Sequence, residues 1–100
     1  MLVVRFMVQC LPERADQAEG VFQEVVRASR GLPGVIHFDV ARDVLDANAF
    51  VATEVFADRE ALERQESLPE VGRAMAFFET ALASAPEATV YEVASSAPWG

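Results

Sequence analysis

Apolar and polar residues alternate with period two from Leu2 to Cys10. Val4, Phe6, Val8 and Cys10 fall on one side; Val3, Arg5, Met7 and Gln9 fall on the other. That alternation predicts a β-strand. Past Pro12, a residue favoured at the first position of a helix, the spacing becomes three and four. Ala15, Ala18, Phe22, Val25 and Ser29 form one stripe, flanked by Val21 and Val26, as an amphipathic helix requires. Gly31-Leu-Pro-Gly34 ends it, since glycine accepts the left-handed position after a helix and proline bars continuation. Period two returns from Val35 to Asp43, with Ile36, Phe38 and Val40 on one face and Val35, His37, Asp39 and Ala41 on the other. Asp46-Ala-Asn48 is a turn cluster, and Phe50 to Phe56 is a third strand that forms a hairpin with the second. Asp58 is placed to cap a short helix over Arg59 to Glu66. Ser67-Leu-Pro-Glu70 has the spacing of a capping box for the next helix, whose stripe is Val71, Ala74, Met75, Phe78 and Leu82, with Phe77 and Ala81 beside it. Ala85-Pro86 closes this helix. Ala88 to Ala94 is a fourth strand, and residues 95–100 are a tail.

The order β-α-β-β-α-β predicts an α+β ferredoxin-like domain spanning residues 1–100, a four-stranded antiparallel sheet with its helices on one face. The other face carries Val3, Met7, Val35 and Ala41 among Arg5, Gln9, His37 and Asp39. It is too apolar to be left in water, and both helices are committed elsewhere. A second copy of the sheet is the expected cover, which makes the chain a homodimer joined through its sheet face.

Composition narrows the partners. Hydrophobic residues make up 52% of the 100, an excess that fits a covered face or an apolar pocket. Sixteen acidic groups oppose eight arginines, with no lysine, for a net charge of −8. Nucleic acid and anionic membranes are therefore poor partners, since both demand clustered cations. No stretch reaches the roughly 20 apolar residues of a membrane span. The apolar start is interrupted by Arg5 and Gln9 and reads as a strand, not a leader. The single cysteine, Cys10, allows no intrachain disulfide and fits a reducing cytoplasm. With one His and one Cys there is no paired metal-ligand spacing, and there is no glycine-rich nucleotide loop. The expectation is a site without a bound metal, heme or flavin: an apolar pocket between sheet and helices with a few polar groups.

Three segments carry a family resemblance: Gly34-Val-Ile-His-Phe-Asp-Val-Ala-Arg-Asp43, Phe50-Val-Ala-Thr-Glu-Val-Phe-Ala-Asp-Arg-Glu-Ala-Leu62, and Ser67-Leu-Pro-Glu70. In this order and spacing the chain resembles the antibiotic biosynthesis monooxygenase (ABM) domain family, from Leu2 to about Val93. The resemblance implies a dimeric α+β barrel. It also implies oxygenation of an aromatic quinol, anthrone or polyketide-like substrate in the sheet–helix pocket, without metal or flavin. Many members have His in the short helix and after the next Pro, where this chain has Gln65 and Glu70.

The candidate catalytic residues are Glu54, Gln65 and His37. Glu54 is either a general base or half of a structural ion pair with Arg5 or Arg42. Gln65 offers a hydrogen bond into the pocket. His37, the one side chain whose ordinary pKa lies near neutrality, falls by strand parity on the sheet–sheet face, where it serves either the interface or a proton transfer. Phe6, Phe38, Met75 and Phe78 are core residues that would also wall the pocket against a flat ligand. Two other functions remain open: an isomerase or related enzyme acting on a small polar or phosphorylated metabolite, and a ligand-binding dimer without catalysis. Arginines converging on the cavity would favour the former, and a filled core the latter.

Overall fold

The sheet is built from β1 (Leu2–Gln9), β2 (Val35–Arg42), β3 (Ala49–Phe56) and β4 (Glu87–Glu92), in the spatial order β2-β3-β1-β4 with every neighbour antiparallel. The computed structural model describes residues 1–100. Helices α1 (Ala15–Arg30), α2 (Arg59–Glu66) and α3 (Pro69–Ala81) complete the ferredoxin-like α+β fold, with a single 3-10 turn at Pro12–Arg14 leading into α1. The fourth strand begins one residue earlier and ends two earlier than its pattern suggests. None of the helices is long and apolar enough to cross a membrane.

Helix α1 buries Ala15, Ala18, Phe22, Val25 and Ser29, the stripe its spacing predicts. Of these, Ala15, Ala18, Phe22 and Val25 meet Val4, Val8, Phe50 and Phe56 of the sheet and Phe78 of α3 in one apolar cluster. Phe22 anchors it, with ring centroids 5.1 Å from Phe50 and 5.4 Å from Phe78. Aromatic pairs at such spacings add about 0.5–1.5 kcal/mol each beyond the area they bury. Cys10 lies in the same cluster, 1% exposed, and burial pushes its thiol pKa up. It is a small core hydrophobe.

Strand β2 departs from simple alternation. Val35 pairs with Phe56 and His37 with Val55, so Ile36 is an extra residue in a β-bulge. A bulge places two residues of one strand opposite one of its partner. Val35 therefore turns to the helix side and packs on the core, while Ile36 is half exposed. Both positions are the reverse of what uninterrupted parity predicts. From His37 onward the parity holds, and Phe38 is buried.

Helix α2 starts as its sequence predicts, with the Asp58 carboxylate accepting from the Ala61 N–H at 2.9 Å. The capping box at Ser67 and Glu70 does not form. Ser67 instead terminates α2, its hydroxyl donating to the Glu63 carbonyl at 2.8 Å. Leu68 occupies the N-cap of α3 without a side-chain hydrogen bond, and Pro69 follows at the first turn. Proline needs no partner for a missing N–H, and its fixed φ starts the helix unaided. Glu70 faces Arg73 at 3.8 Å, a partly solvated pair.

On the helix-free face the strands align residues in rows. His37, Val55, Val3 and Tyr91 form one, and Ala41, Val51, Met7 and Glu87 another. No helix covers these rows, and Tyr91 is half exposed.

Candidate functional site

Between the sheet and the helices lies a cavity of about 520 Å³. Its walls are mainly apolar. Phe6 and Val4 come from β1, Phe38 and Val40 from β2, and Val71, Met75 and Phe78 from α3. All four aromatic or thioether wall residues expected from the sequence line it. Phe38 and Phe78 are buried, while Met75 is 49% exposed. Strand β4 contributes Ala88 and Val90, both exposed, to its lining.

Its polar groups are few. Glu54 projects inward from β3 because Phe50, Ala52, Glu54 and Phe56 all fall on the buried face of that strand. It is 8% exposed. Neither expected arginine reaches it: Arg42 is held by Asp16 at 3.0 Å and Glu19 at 3.6 Å, and Arg5 lies exposed on the other face of the sheet. Burial raises the Glu54 pKa to about 7, and the nearby Glu66 carboxylate adds to the rise. A carboxyl placed among apolar walls resists ionisation because they stabilise its charge far less than bulk water does. Gln65, 4% exposed, comes from α2. Its Nε2 donates to the Ser29 hydroxyl of α1 at 3.1 Å, and Ser29 is fully buried. Arg59 and Glu66, both exposed, stand on the α2 side of the cavity.

His37 is not brought to this cavity. Its partner in the ladder is Val55, one residue out of phase with Glu54, so its side chain leaves the opposite face of the sheet and is exposed. No three His, Cys, Asp or Glu side chains gather closely enough to share a metal ion.

A family model for antibiotic biosynthesis monooxygenases matches residues 1–76. The chain belongs to the ABM family. The matched span includes every cavity residue except Phe78, Ala88 and Val90. Solved ABM-fold structures superpose closely. A Nitrosomonas europaea protein named for the family gives a TM-score of 0.89 at 15% identity, covering 95% of this chain and 100% of that one. A Deinococcus radiodurans protein, also named for the family, gives 0.89 at 19%, covering 100% and 99%. A Bacteroides thetaiotaomicron protein described as a possible oxidoreductase gives 0.82 at 14%, covering 92% and 96%. No curated protein sequence matches the chain.

Within this ABM fold, two polar cavity residues carry no signal in the sequence. Arg59 and Glu66 stand three residues before and four residues after Leu62, which the spacing of a helix places on one face. Because α2 is so short and charged, that face carries little apolar signal. Ser29 was visible only as the last position of the α1 stripe; its partnership with Gln65 spans 36 residues.

A second cleft of about 430 Å³ lies between α1 and β2, over Phe22, Val40 and Phe50, with Arg27, Arg30 and Arg42 around it. Its cations are largely neutralised. Asp39 holds Arg30 at 3.0 Å, while Asp16 and Glu19 hold Arg42, whose guanidinium also lies over the Phe50 ring at 5.0 Å.

Proposed function

We propose that this ABM protein is a cofactor-independent monooxygenase that oxidises an aromatic quinol or anthrone with O₂. The observation that carries the reading is a buried carboxyl, Glu54, that has no ion-pair partner and faces an apolar cavity large enough for fused rings. Sites for small molecules typically fall between about 300 and 1,000 Å³ and combine apolar walls with a few placed polar groups.

In this reading Glu54 removes a proton from a substrate hydroxyl or an activated ring carbon. Its pKa near 7 suits it to that task, since a base works best when poised near the operating pH. The electron-rich anion then passes an electron to O₂, and the two radicals combine to a peroxide at the ring carbon. Cleavage of the O–O bond leaves one oxygen on the product as a carbonyl. The other departs as water, taking up the proton held by Glu54 and the last proton of the reacting carbon. The substrate thus supplies all the electrons. Phe6, Phe38, Met75 and Phe78 hold the ring, and Gln65 offers the second polar contact.

We further propose that the chain works as a homodimer through the helix-free sheet face, which would shelter Val3, Met7, Val51 and Val55. Action on a phosphorylated metabolite fits less well, because only Arg59 among the cations reaches the cavity and a phosphate needs several fixed donors. The test is O₂ uptake with a panel of naphthoquinols and anthrones in the presence of a chelator. Uptake above the buffer rate, lost in Glu54→Gln, is expected; no uptake across the panel rejects the reading. Sedimentation as a monomer at micromolar concentration rejects the dimer.

A further inference from the structure

Three oxygens of the cavity wall, the two of the Glu54 carboxyl and Oε1 of Gln65, accept no hydrogen bond from any protein group. Both residues are almost sealed from outside, at 8% and 4% exposed. Yet the one side-chain polar atom that is both unpartnered and shut off from open space is Arg42 Nε. The three oxygens therefore open into the cavity. With Glu54 ionised, all three are acceptors, and none can donate.

The Gln65 side chain is tethered by Ser29. An amide can present either its oxygen or its NH₂, but here the NH₂ end is engaged by the Ser29 hydroxyl at 3.1 Å. Ser29 is 0% exposed and lies in the packed stripe of α1, so this anchor does not move with solvent. The charged donor of the cavity, Arg59, stands six residues before Gln65 in α2. At about 1.5 Å per residue, that separates the two by about 9 Å along the helix.

We propose that this wall selects ligands by their hydrogen-bond donors: an aromatic ring bearing hydroxyl groups is held more tightly than its ether counterpart, and Ser29 is the residue that holds Gln65 in place to do so. The assignment rests on the oxygenase reading for its purpose. Oxidation of a quinol turns a hydroxyl into a carbonyl, so the product offers these three acceptors fewer hydrogen bonds than the substrate and leaves more readily. A buried acceptor left unpaired by a ligand without donors keeps its desolvation cost, which is why discrimination of this type is strong.

Binding decides the matter without turnover. Under anaerobic conditions at about pH 8.5, where an acid of pKa near 7 is ionised, calorimetric titration compares 1,4-dihydroxynaphthalene with 1,4-dimethoxynaphthalene. The diol is expected to bind at least about tenfold tighter, the worth of one hydrogen bond to a charged acceptor. In Ser29→Ala the diol is expected to weaken by about fivefold while the ether stays within about twofold, because a side chain freed of its tether no longer holds its oxygen at the wall. Gln65→Leu should reduce the ratio similarly, should the Ser29 variant fold poorly. Equal or tighter binding of the ether overturns the proposal, as does binding of neither compound. So does a Ser29→Ala variant in which both affinities fall together, the mark of a merely structural role. Selective binding without O₂ uptake would sink the oxygenase reading and leave the donor-selective wall standing; uptake without selectivity would do the reverse.

Discussion

Glu54 makes the stability of this protein depend on pH in a direction opposite to that of most carboxylates. Its pKa is about 7 in the folded chain against 4.5 for an ordinary glutamate. The folded state therefore holds a proton that the unfolded state releases between those two values. Below pH 4.5 both states are protonated and nothing is lost. As pH rises through 7, the folded chain must ionise a carboxyl walled by apolar groups, and stability falls. At about 1.36 kcal/mol per pH unit, a span of about 2.5 units corresponds to about 3 kcal/mol. Because the group is only 8% exposed, solvent screening reduces this little. A loss of that size is a large part of the roughly 5–15 kcal/mol available to a domain.

Glu54→Gln isolates the effect. The amide has nearly the same shape and cannot ionise, so its penalty for missing hydrogen bonds is the same at every pH. Urea unfolding of both proteins, at equal protein concentration from pH 4 to pH 9, gives the difference in free energy at each point. The expected difference is flat below about pH 4.5, climbs in favour of the variant through the window up to 7, and levels off about 3 kcal/mol higher. A constant difference across the range would refute the argument, because it would mean that the carboxyl ionises in the cavity as easily as in water. The absolute offset carries no weight; only the rise does.

Further outcomes follow from individual contacts. In the oxygenase reading, kcat/KM should rise with pH through an apparent pKa near 7, and Glu54→Gln should cost about 10²- to 10⁴-fold. Glu66→Gln removes a like charge that helps raise the Glu54 pKa, so the same profile should move to lower pH; an unmoved profile would show that Glu66 does not act on Glu54. Gly34→Ala should lose about 2–4 kcal/mol in denaturant melts, since φ is +81° there and the added Cβ would meet the Ala61 Cβ at 2.6 Å. Gly20→Ala, on the exposed side of α1 with open space around it, should gain about 0.5–1 kcal/mol. Asp58→Ala should lose about 1 kcal/mol through the lost cap, whereas Glu70→Gln should change stability by less than about 0.5 kcal/mol, because Glu70 makes only a partly solvated contact.

Where the sequence was legible, a strong local period met no local interruption. The α1 stripe is an example: five positions in a sixteen-residue helix repeat the same angle, and all five are buried. Strand β3 is another, and its alternation is enough to turn Glu54 inward. The reading failed where one backbone event changes the phase. The bulge at Ile36 exchanges the faces of Val35 and Ile36, and no residue type there announces it. At Ser67 two helices meet end to end, and a side chain suited to starting one was used to finish the other. The tip of the β2–β3 hairpin illustrates local chemistry that can be read: Asp46 accepts from the Asn48 N–H at 2.9 Å as turn residues of this type do. The Ser29–Gln65 bond could not be read, since nothing in either local pattern links positions so far apart in the chain.

The polar wall of the cavity depends on three elements that are not consecutive: Glu54 on β3, Gln65 on α2, Ser29 on α1. Its geometry is therefore only as exact as the seating of α2, a helix of eight residues with little apolar surface of its own. Two contacts at its N-terminal half supply what burial does not. Asp58 caps it from the end of β3, and Gly34 lets the turn before β2 lie against Ala61 where no side chain would fit. Arg64 adds a tether, its Nη1 donating to the Pro33 carbonyl at 2.7 Å. The turn that ends α1 thus grips the helix that carries Gln65, while Ser29, two residues before that turn, holds the amide itself. Any displacement of that turn moves the anchor and the anchored residue together. A disturbance at Gly34 should accordingly reach ligand selectivity as well as stability, although Gly34 does not line the cavity.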